Sequence, residues 1–336
     1  MLKDPVTEFC YPPAWVERCP DQAALEEVRS GRAVLTADGK VLRRGYTTGT
    51  TASAAAKAAV LSLLGPVEEV DVTTNCGVWV KVAARAAAGR AECRKYAGDY
   101  PGDMTANACF IAEVEPRSGE IVIDAGEGIG RFVRGTPHHR RGDAAISIAA
   151  LASIKRSVAE ALEIIGQEGA LVRLSIREGS EIGPRTLNPR MGVEGGISIL
   201  GTTGLVEPWD DHLEESNLER IARADKVVLT TGRTGLRYAR LLFPDHEAVL
   251  VGARMEKAIA SAPKEAVLCG LPALVLKFID PDILRRTGAN TIEELRTGDE
   301  WTQAMQGALS RSKRERPTLR VVLVDRDGTV LGDNGC

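Results

Sequence analysis

The spacing of hydrophobic and polar positions changes partway along the chain. From residue 43 to about residue 205, short segments with alternating apolar and polar side chains surround two helical segments, 52–64 and 144–165. Such alternation is typical of half-buried strands. After about residue 205, strand-like and helical segments follow one another regularly. These repeated units predict a parallel sheet with ligands at the carboxyl ends of its strands.

The patterns predict α/β and α+β architecture in two domains, because a chain of 336 residues is long for a single hydrophobic core. We expect residues 1–42 to be an N-terminal extension and residues 43–205 to be an α+β domain with Gly- and Thr-rich ligand loops. Residues 206–336 are expected to form a parallel-sheet α/β domain with a closing hairpin.

Composition and charge narrow the class of protein. The net charge of −3 gives no general attraction to nucleic acid or to an anionic membrane, and no apolar run is long enough to cross a bilayer. The seven Cys residues form no CxxC pair and no apolar run follows Met1–Pro5, so we expect a cytoplasmic protein without a disulfide framework. The adjacent side chains of His138 and His139 diverge, which predicts no metal site. The sequence leaves open whether the chain forms a homo-oligomer.

The segment RRGYTTGTTASAAAKAAV (43–60) places a row of hydroxyls before an Ala-rich helix. Thr47, Thr48 and Thr50 surround Gly49, whereas one Ser or Thr is enough to cap a helix. Further hydroxyls beside exposed N–H groups can also bind an anion or a carbonyl group. We therefore predict that this helix start contacts a ligand.

Three other segments are rich in Gly. In IDAGEGIGRFVRG (123–135), a GxGxG run follows a strand without opening a helix, so a glycine turn and a ligand loop are both compatible with it. The segment 183–208 contains six Gly and three Pro in 26 positions, which favours a functional loop over a linker. In VVLTTGRTGLRYA (227–239), the loop opens a helix whose N-terminus can hold an anionic or carboxylate group.

Charged side chains accompany the first of these Gly-rich segments. Arg131, Arg134, Arg140 and Arg141 form either a solvated loop or a set of guanidinium groups for carboxylates. Asp103 follows a Pro-Gly turn. At such a position an Asp most often stabilises the turn, and the alternative is a carboxylate that acts as a base or binds an amine. Both interpretations of each feature stay open at this point.

Together, four segments resemble the cobalt-precorrin-5B C(1)-methyltransferase family of the CbiD type: RRGYTTGTTASAAAKAA, GDYPGDMTANACFIAEV, AGEGIGRFVRG and LNPRMGVEGGISILGTTGLVEP. They occur in the family's order between residues 43 and 208. The resemblance implies a two-domain enzyme of anaerobic cobalamin (vitamin B12) biosynthesis. It would transfer a methyl group from S-adenosyl-L-methionine to C-1 of a cobalt corrinoid, without a protein-bound metal. Thr51 stands where the family usually has Cys, so this chain has no thiol there.

The resemblance also implies roles for individual residues. The methyl donor would contact the Gly- and Thr-rich loops, namely Thr47, Thr48, Gly49, Thr50, Gly126, Gly128, Gly130, Gly201, Thr202, Thr203, Gly204, Gly232, Thr234 and Gly235. The corrinoid, with its rim of acetate and propionate groups, would contact Arg131, Arg134, Arg140, Arg141, Arg185, Asn188, Arg190, Gly195, Gly196 and Ser198. Methyl transfer needs positioning in a dry site rather than a nucleophilic side chain. Asp103 or Glu127 would be the base if a corrinoid proton is removed.

Two alternatives to this activity stay open. The acceptor could be another tetrapyrrole or a carboxylate-rich metabolite, or the chain could bind a corrinoid without catalysis. Binding of the methyl donor distinguishes a non-catalytic carrier from a methyltransferase. The mass of the product distinguishes the two kinds of acceptor.

Overall fold

The computed structural model describes residues 2–100, 102–135, 139–208, 217–252, 254–262 and 266–335. The helices are α1 (Pro13–Glu17), α2 (Gln22–Arg29), α3 (Thr48–Leu61), α4 (Ile148–Ile165), α5 (Gly179–Ile182), α6 (Asn217–Arg223), α7 (Arg233–Leu242), α8 (Met255–Ser261), α9 (Pro272–Ile279), α10 (Ile283–Thr287), α11 (Ile292–Thr297) and α12 (Trp301–Glu315). The strands are β1 (Ala33–Leu35), β2 (Val41–Arg43), β3 (Gly45–Tyr46), β4 (Val67–Thr73), β5 (Trp79–Ala87), β6 (Arg90–Arg94), β7 (Cys109–Arg117), β8 (Val122–Ala125), β9 (Gly128–Ile129), β10 (Arg131–Phe132), β11 (Gly169–Ile176), β12 (Val193–Glu194), β13 (Gly196–Ile197), β14 (Leu205–Val206), β15 (Val227–Thr230), β16 (Glu247–Leu250), β17 (Ala266–Gly270), β18 (Leu319–Val324) and β19 (Val330–Asp333).

The chain divides into two compact units. The six-stranded unit contains residues 26–34 and 42–210, and the five-stranded unit contains residues 1–25, 35–41 and 211–336. Residues 1–42, expected to be an extension, are thus shared between the two units. The boundary near residue 210 lies close to the position where the sequence pattern changes.

The sheet of the six-stranded unit has the order β4-β5-β6-β7-β11-β8. Its neighbouring strands are antiparallel except for β11 and β8, which are parallel. Buried and exposed side chains alternate along most of β5, so one face of the sheet is covered and the other faces solvent. This arrangement is common in antiparallel sheets and makes the unit α+β.

Helix α3 is the central helix of the six-stranded unit. It contacts β4 to β7 on one side and α4 on the other. Almost all its residues are buried, and a helix without a polar face is stable only when it is covered all round. Small side chains allow α4 to approach closely, with the hydroxyl oxygens of Ser53 and Ser153 3.2 Å apart. Lys57, the polar exception, forms a salt bridge with Glu160 of α4 at 2.7 Å.

Helix α4 begins later than predicted. The expected range was 144–165, whereas the helix starts at Ile148 because the Ser147 hydroxyl accepts a hydrogen bond from the Ala150 N–H and caps it. The residues just before the cap are extended and form isolated bridges instead. The predicted end is confirmed: Gly166 adopts a left-handed conformation with a φ of 68°, which suits Gly at a helix C-terminus.

The five-stranded unit has the strand order β16-β15-β17-β18-β19. The first four strands are parallel and β19 pairs antiparallel with β18, so the predicted parallel sheet and closing hairpin are confirmed. On one face, side chains from α6, α8, α9, α11 and α12 pack against strand residues such as Leu229, Leu268 and Val321. Elsewhere in the unit, the ring of Tyr238 in α7 packs 5.5 Å from that of Phe9.

Candidate functional site

Helix α3 begins at Thr48, within the row of hydroxyls rather than after it. Thr47 is the N-cap, and its hydroxyl accepts a hydrogen bond from the Thr50 N–H at 3.2 Å. Thr51 donates its hydroxyl hydrogen to the Thr47 carbonyl at 3.0 Å. The predicted start at residue 52 was therefore wrong, because the first Thr of the row caps the helix and the following residues form its first turn.

The hydroxyls of α3 hold the loop 198–204 in place. The Leu200 N–H donates to the Thr48 hydroxyl at 2.8 Å. The Thr50 hydroxyl donates to the Gly204 carbonyl at 2.7 Å. We expected these hydroxyls to contact a ligand, and their partners in the structure are backbone groups of the chain. Their observed role is to fix the loop against the helix.

Close packing between the loop and the helix explains two of the Gly positions. A Cβ atom on Gly49 would lie 2.8 Å from the Leu200 carbonyl oxygen, and one on Gly201 would lie 2.5 Å from the Thr47 hydroxyl. Any larger residue would push the loop away from the helix. These Gly residues are therefore required by protein packing, independently of any ligand.

The start of α4 lies beside the same loop. The Ser147 N–H donates to the Ile199 carbonyl at 2.9 Å, next to the carbonyl of Leu200 that accepts from Gly49. Ile148 and Leu200 have 66% and 52% of their surface exposed, which makes an apolar patch at this point. Both helices direct the positive ends of their dipoles toward it. We name this surface the paired helix ends; it comprises residues 47–50, 147–150 and 198–204.

The turn between β4 and β5 supports the other side of the loop. The Asn75 side-chain amide donates to the Gly201 carbonyl at 2.8 Å and to the Ala149 carbonyl at 3.3 Å. No feature of the sequence near Asn75 reveals that its partners lie so far along the chain. The Thr203 hydroxyl donates to the Leu205 carbonyl at 3.1 Å, and Thr202 is exposed.

The Gly residues of the 126–130 segment pack against backbone. Gly128 has a φ of 77°, and a Cβ atom on it would lie 1.9 Å from the Ile176 carbonyl oxygen. The Gly126 and Gly130 N–H groups donate to the Leu174 and Ile197 carbonyls at 2.7 and 2.9 Å. Because these two N–H groups already have acceptors, the structure favours the glycine-turn interpretation of the segment over a donor-binding loop.

Asn188 organises the loop that was predicted to bind substrate. Its side-chain amide donates to the Gly196 carbonyl at 3.1 Å, and its amide oxygen accepts from the Ser198 hydroxyl at 3.0 Å. These two polar side chains are occupied within the loop. Gly195 has a φ of 80° and lies at an exposed position with open space where a Cβ would be.

The predicted substrate arginines are exposed, with different surroundings. Arg131 donates to the Ala125 and Gly142 carbonyls at 2.9 and 3.1 Å, which fixes the 131–143 segment. This segment leads directly into α4, and β10 within it pairs with β12 of the Gly-rich loop. The remaining arginines that were predicted to bind substrate also lie on the surface: Arg134, Arg140, Arg141, Arg185 and Arg190. His138 lies outside the described residues.

The two predicted carboxylates differ in environment. Asp103 forms a buried salt bridge with Lys95 and accepts from the Thr105 hydroxyl at 2.6 Å. Burial raises the pKa of Asp103, but Lys95 and Thr105 lower it more, so this pKa lies below its ordinary value. Burial lowers the pKa of Lys95 more than Asp103 raises it. Glu127 is exposed, and none of its hydrogen-bond partners within the described ranges is a side chain.

The third Gly-rich segment belongs to the five-stranded unit. Strand β15 ends at Thr230, Gly232 is the N-cap of α7, and Thr234 and Gly235 lie in its first turn. The strand–loop–helix order predicted from the sequence is confirmed. This helix start lies at the carboxyl end of a parallel sheet, where ligands bind in open α/β folds.

Across the part of the chain that the structure describes, no three or more His, Cys, Asp or Glu side chains cluster so that they could hold a metal ion. Among the same residues, none of the helices has the length and apolar character needed to span a bilayer.

This chain is similar to known proteins over almost its whole length. The family model CbiD matches residues 35–208. The cobalt-precorrin-5B C(1)-methyltransferase of Methanoregula boonei is 54% identical over 333 residues, which cover 99% of this chain and 100% of that protein. The protein of the same name from Methanoculleus marisnigri is 53% identical over 99% of each chain.

A solved structure is similar as well. The 1.9 Å crystal structure of a cobalamin biosynthesis protein (cbiD) from Archaeoglobus fulgidus matches with a TM-score of 0.57 and 36% identity. The match covers 96% of this chain and 100% of that one. The similarity therefore extends to the strands and helices of both compact units.

Proposed function

The chain belongs to the CbiD family, and we propose that it is a cobalt-precorrin-5B C(1)-methyltransferase that acts in the cytoplasm in cobalamin biosynthesis. The observation that carries this proposal is the 54% identity with the Methanoregula boonei methyltransferase over 99% of the chain. Identity of this extent includes the C-terminal part as well as the motifs between residues 43 and 208. It favours cobalt-precorrin-5B as the acceptor over another tetrapyrrole. It also favours an enzyme over a protein that binds a corrinoid without catalysis.

The proposed reaction makes few demands on side-chain chemistry. S-Adenosylmethionine supplies the methyl group: the new bond to C-1 uses an electron pair of the corrinoid, and the sulfur keeps the pair of the broken carbon–sulfur bond. In such an in-line displacement the protein aligns two ligands and excludes water. The chain is therefore not required to provide a nucleophile.

We assign the corrinoid to the paired helix ends of the six-stranded unit. A corrinoid presents a broad apolar face, which suits the exposed side chains of Ile148 and Leu200. Its rim carries carboxylates, which the positive ends of the two helix dipoles attract. The hydrogen bonds of Thr48 and Thr50 to residues 200 and 204 keep this surface rigid. In this proposal the hydroxyls shape the site rather than touch the substrate.

The exposed arginines complete the proposed substrate site. Arg134, Arg140 and Arg141 lie in the segment that runs into the N-terminus of α4, and guanidinium groups bind carboxylates in bidentate fashion. Arg131 is instead held by backbone carbonyls, which supports a role in shaping this segment. Exposed arginines in a segment that leads to the apolar side chain of Ile148 would suit a macrocycle with an apolar face and a carboxylate rim.

Glu127 is our candidate for a base, should a corrinoid proton be removed. Its carboxylate is exposed in the Gly-rich segment, whereas that of Asp103 is engaged by Lys95 and Thr105. A carboxylate with a lowered pKa that is already paired is a weak base. The contacts of Asp103 therefore support a structural role for it.

The activity is tested by incubating the purified protein without oxygen with cobalt-precorrin-5B and methyl-labelled S-adenosylmethionine. We expect one labelled methyl group per corrinoid, with S-adenosylhomocysteine formed in equal amount. An intact corrinoid that gains no label, with the donor unconsumed, would refute the proposed function. Transfer of the label to a different tetrapyrrole only would establish another acceptor.

A further inference from the structure

The sheet of the five-stranded unit contains a topological switch point between β15 and β17. The chain runs from β15 through α7 to β16 on one side, and from β17 through α9 to β18 on the other. The loops that leave these two adjacent parallel strands therefore diverge. In open α/β sheets, a crevice for ligands forms outside the carboxyl ends of such strands.

The N-terminus of α7 lies at this crevice with its donors uncapped. Gly232 is the N-cap, no side chain caps the helix, and the first intrahelical bond of the turn runs from the Leu236 N–H to the Gly232 carbonyl at 2.9 Å. The N–H groups of Arg233, Thr234 and Gly235 consequently have no acceptor within the helix. Together with the helix dipole, they form a site that favours a negatively charged group.

A second, independent feature points to a ligand at the same place. Thr230 is fully buried, and its hydroxyl has no hydrogen-bond partner among the described residues. Its neighbour Leu229 faces the core beside α8 and α9, so Thr230 faces the opposite side, where α7 lies. The Thr230 Cβ is 3.7 Å from the position that a Cβ on Gly235 would occupy. Buried hydroxyls are nearly always paired, and an acceptor on a ligand would pair this one.

The crevice is shaped by small residues. A Cβ on Gly235 would lie 3.1 Å from the Gly270 Cα, so the start of α7 packs against the end of β17. A Cβ on Gly270 would lie 2.7 Å from the Thr231 hydroxyl, which brings a second hydroxyl to this point. A side chain at Gly232 would enter open space, so there is room in front of the helix end.

We infer that this crevice binds the carboxylate of the methionine moiety of S-adenosylmethionine, with Thr230 and the N–H groups of residues 233–235 as donors. The inference rests on the proposed function, which requires such a donor. A dinucleotide-binding loop has the pattern GxGxxG, and here Thr230 occupies the first Gly position. A pyrophosphate requires a close approach of the backbone, which the Gly residues of the dinucleotide-binding loop allow. A hydroxyl-bearing residue in place of the first Gly is better suited to binding a single carboxylate.

The test uses calorimetric titration of the whole chain with S-adenosylhomocysteine. Thr230→Val removes the hydroxyl at nearly constant shape, and we expect binding about tenfold weaker because a hydrogen bond to a charged group is lost. The melting temperature of the ligand-free variant should stay the same or rise, because an unpaired buried hydroxyl is removed. Thr230→Ser keeps the hydroxyl and should bind S-adenosylhomocysteine nearly as the parent chain does.

A matched control and a truncated ligand make the result specific. Ser312 in α12 also has a buried hydroxyl without a partner in the described part of the unit, so Ser312→Ala should leave S-adenosylhomocysteine binding unchanged. 5′-Methylthioadenosine lacks the amino-acid moiety, and it should bind the parent chain and Thr230→Val equally. Weaker binding of both ligands to Thr230→Val would place adenosine there instead and overturn the carboxylate assignment.

The remaining outcomes separate this inference from the proposed function. If Thr230→Val folds, binds S-adenosylhomocysteine as the parent chain does and still methylates the corrinoid, the donor site is wrong and the function stands. If the parent chain neither binds S-adenosylhomocysteine nor transfers a methyl group, both proposals fail together.

Discussion

The hydroxyl of Thr50 donates a hydrogen bond to the carbonyl of Gly204 at 2.7 Å, across 154 positions of the sequence. This contact joins the first turn of a buried helix to the Gly-rich segment 183–208. The same carbonyl also accepts from the Thr47 N–H at 3.1 Å. The start of α3 and the loop 198–204 consequently form one rigid surface, on which the proposed corrinoid site is built.

Removing this contact should loosen the loop. We expect Thr50→Val to lower the free energy of unfolding by about 1 kcal/mol, a moderate loss because the Gly204 carbonyl keeps its other donor. The affinity for the corrinoid should fall as well. The matched control is Thr51→Val, whose hydroxyl donates to the carbonyl of the N-cap Thr47, and this carbonyl also accepts from the Thr51 N–H. Urea unfolding of both variants is the measurement. Equal losses of unfolding free energy would mean that the contact between Thr50 and the loop is unimportant.

A second pair of variants tests why Gly is needed in the loops. Gly128 and Gly195 both have positive φ angles, of 77° and 80°. A Cβ on Gly128 would lie 1.9 Å from the Ile176 carbonyl oxygen, whereas one on Gly195 would meet open space. Gly128→Ala should therefore cost at least about 4 kcal/mol of folding free energy or abolish folding. Gly195→Ala should cost only about 1–2 kcal/mol, from its backbone conformation.

Chemical unfolding of both Gly variants measures this difference. A Gly128→Ala protein as stable as Gly195→Ala, but unable to bind S-adenosylhomocysteine, would contradict the packing account. It would restore the interpretation of the 126–130 segment as a donor-binding loop.

The salt bridge between Lys95 and Asp103 predicts a dependence of stability on pH. Both side chains are buried, so Asp103→Asn leaves an unpaired buried ammonium and should cost about 3 kcal/mol at neutral pH. The folded-state pKa of Asp103 lies below its ordinary value of 3.8, so its contribution is complete above that value. The contribution is lost as the pH falls through the lower, folded-state pKa.

Unfolding curves of the parent chain and Asp103→Asn between pH 7 and pH 2 provide the measurement. The difference between their unfolding free energies should be constant near neutrality and shrink at the acid end. A difference that grows as the pH falls would have the wrong sign. Loss of methyl transfer in a fully stable Asp103→Asn variant would instead indicate a catalytic role for this carboxylate.

The exposed arginines should govern affinity for the corrinoid. Arg140→Ala removes a guanidinium from the segment that leads into α4, and we expect the dissociation constant to rise by about fivefold, an effect that salt weakens. Arg314→Ala, which removes an exposed cation from α12 of the other unit, is the control and should leave affinity unchanged. Spectroscopic titration of cobalt-precorrin-5B measures both. An equal rise of the dissociation constant in both variants would mean that corrinoid binding depends only on the net charge of the protein.

Local sequence patterns predicted most elements because the deciding interactions are local. Gly166 ends α4 since Gly readily adopts the left-handed conformation at that position. The alternation of strands and helices after residue 205 was enough to predict the parallel sheet. The start of α4 was misplaced because residues 144–146 are apolar, and apolar residues occur both in a buried helix and in the isolated bridges that these residues form. Ser147, its cap, was a signal in the sequence that could have placed the start correctly.

The site was less predictable because its contacts are distant in sequence. The row of Thr residues was recognised as exceeding the needs of a cap, but its partners lie about 150 positions away. A Gly-rich segment reveals that something approaches the backbone closely, without revealing whether that is a ligand or, as at Gly128, another strand. That the Thr230 hydroxyl has no partner among the described residues could not be read from the sequence.

The most direct test of the proposed activity is to locate the transferred methyl group. The chain is incubated without oxygen with cobalt-precorrin-5B and S-adenosylmethionine that carries a ¹³C-labelled methyl group, and the product is examined by ¹³C NMR. The account predicts a single new methyl resonance on C-1 of the corrinoid, at one per macrocycle. A label on any other ring position, or an unlabelled corrinoid, would contradict it.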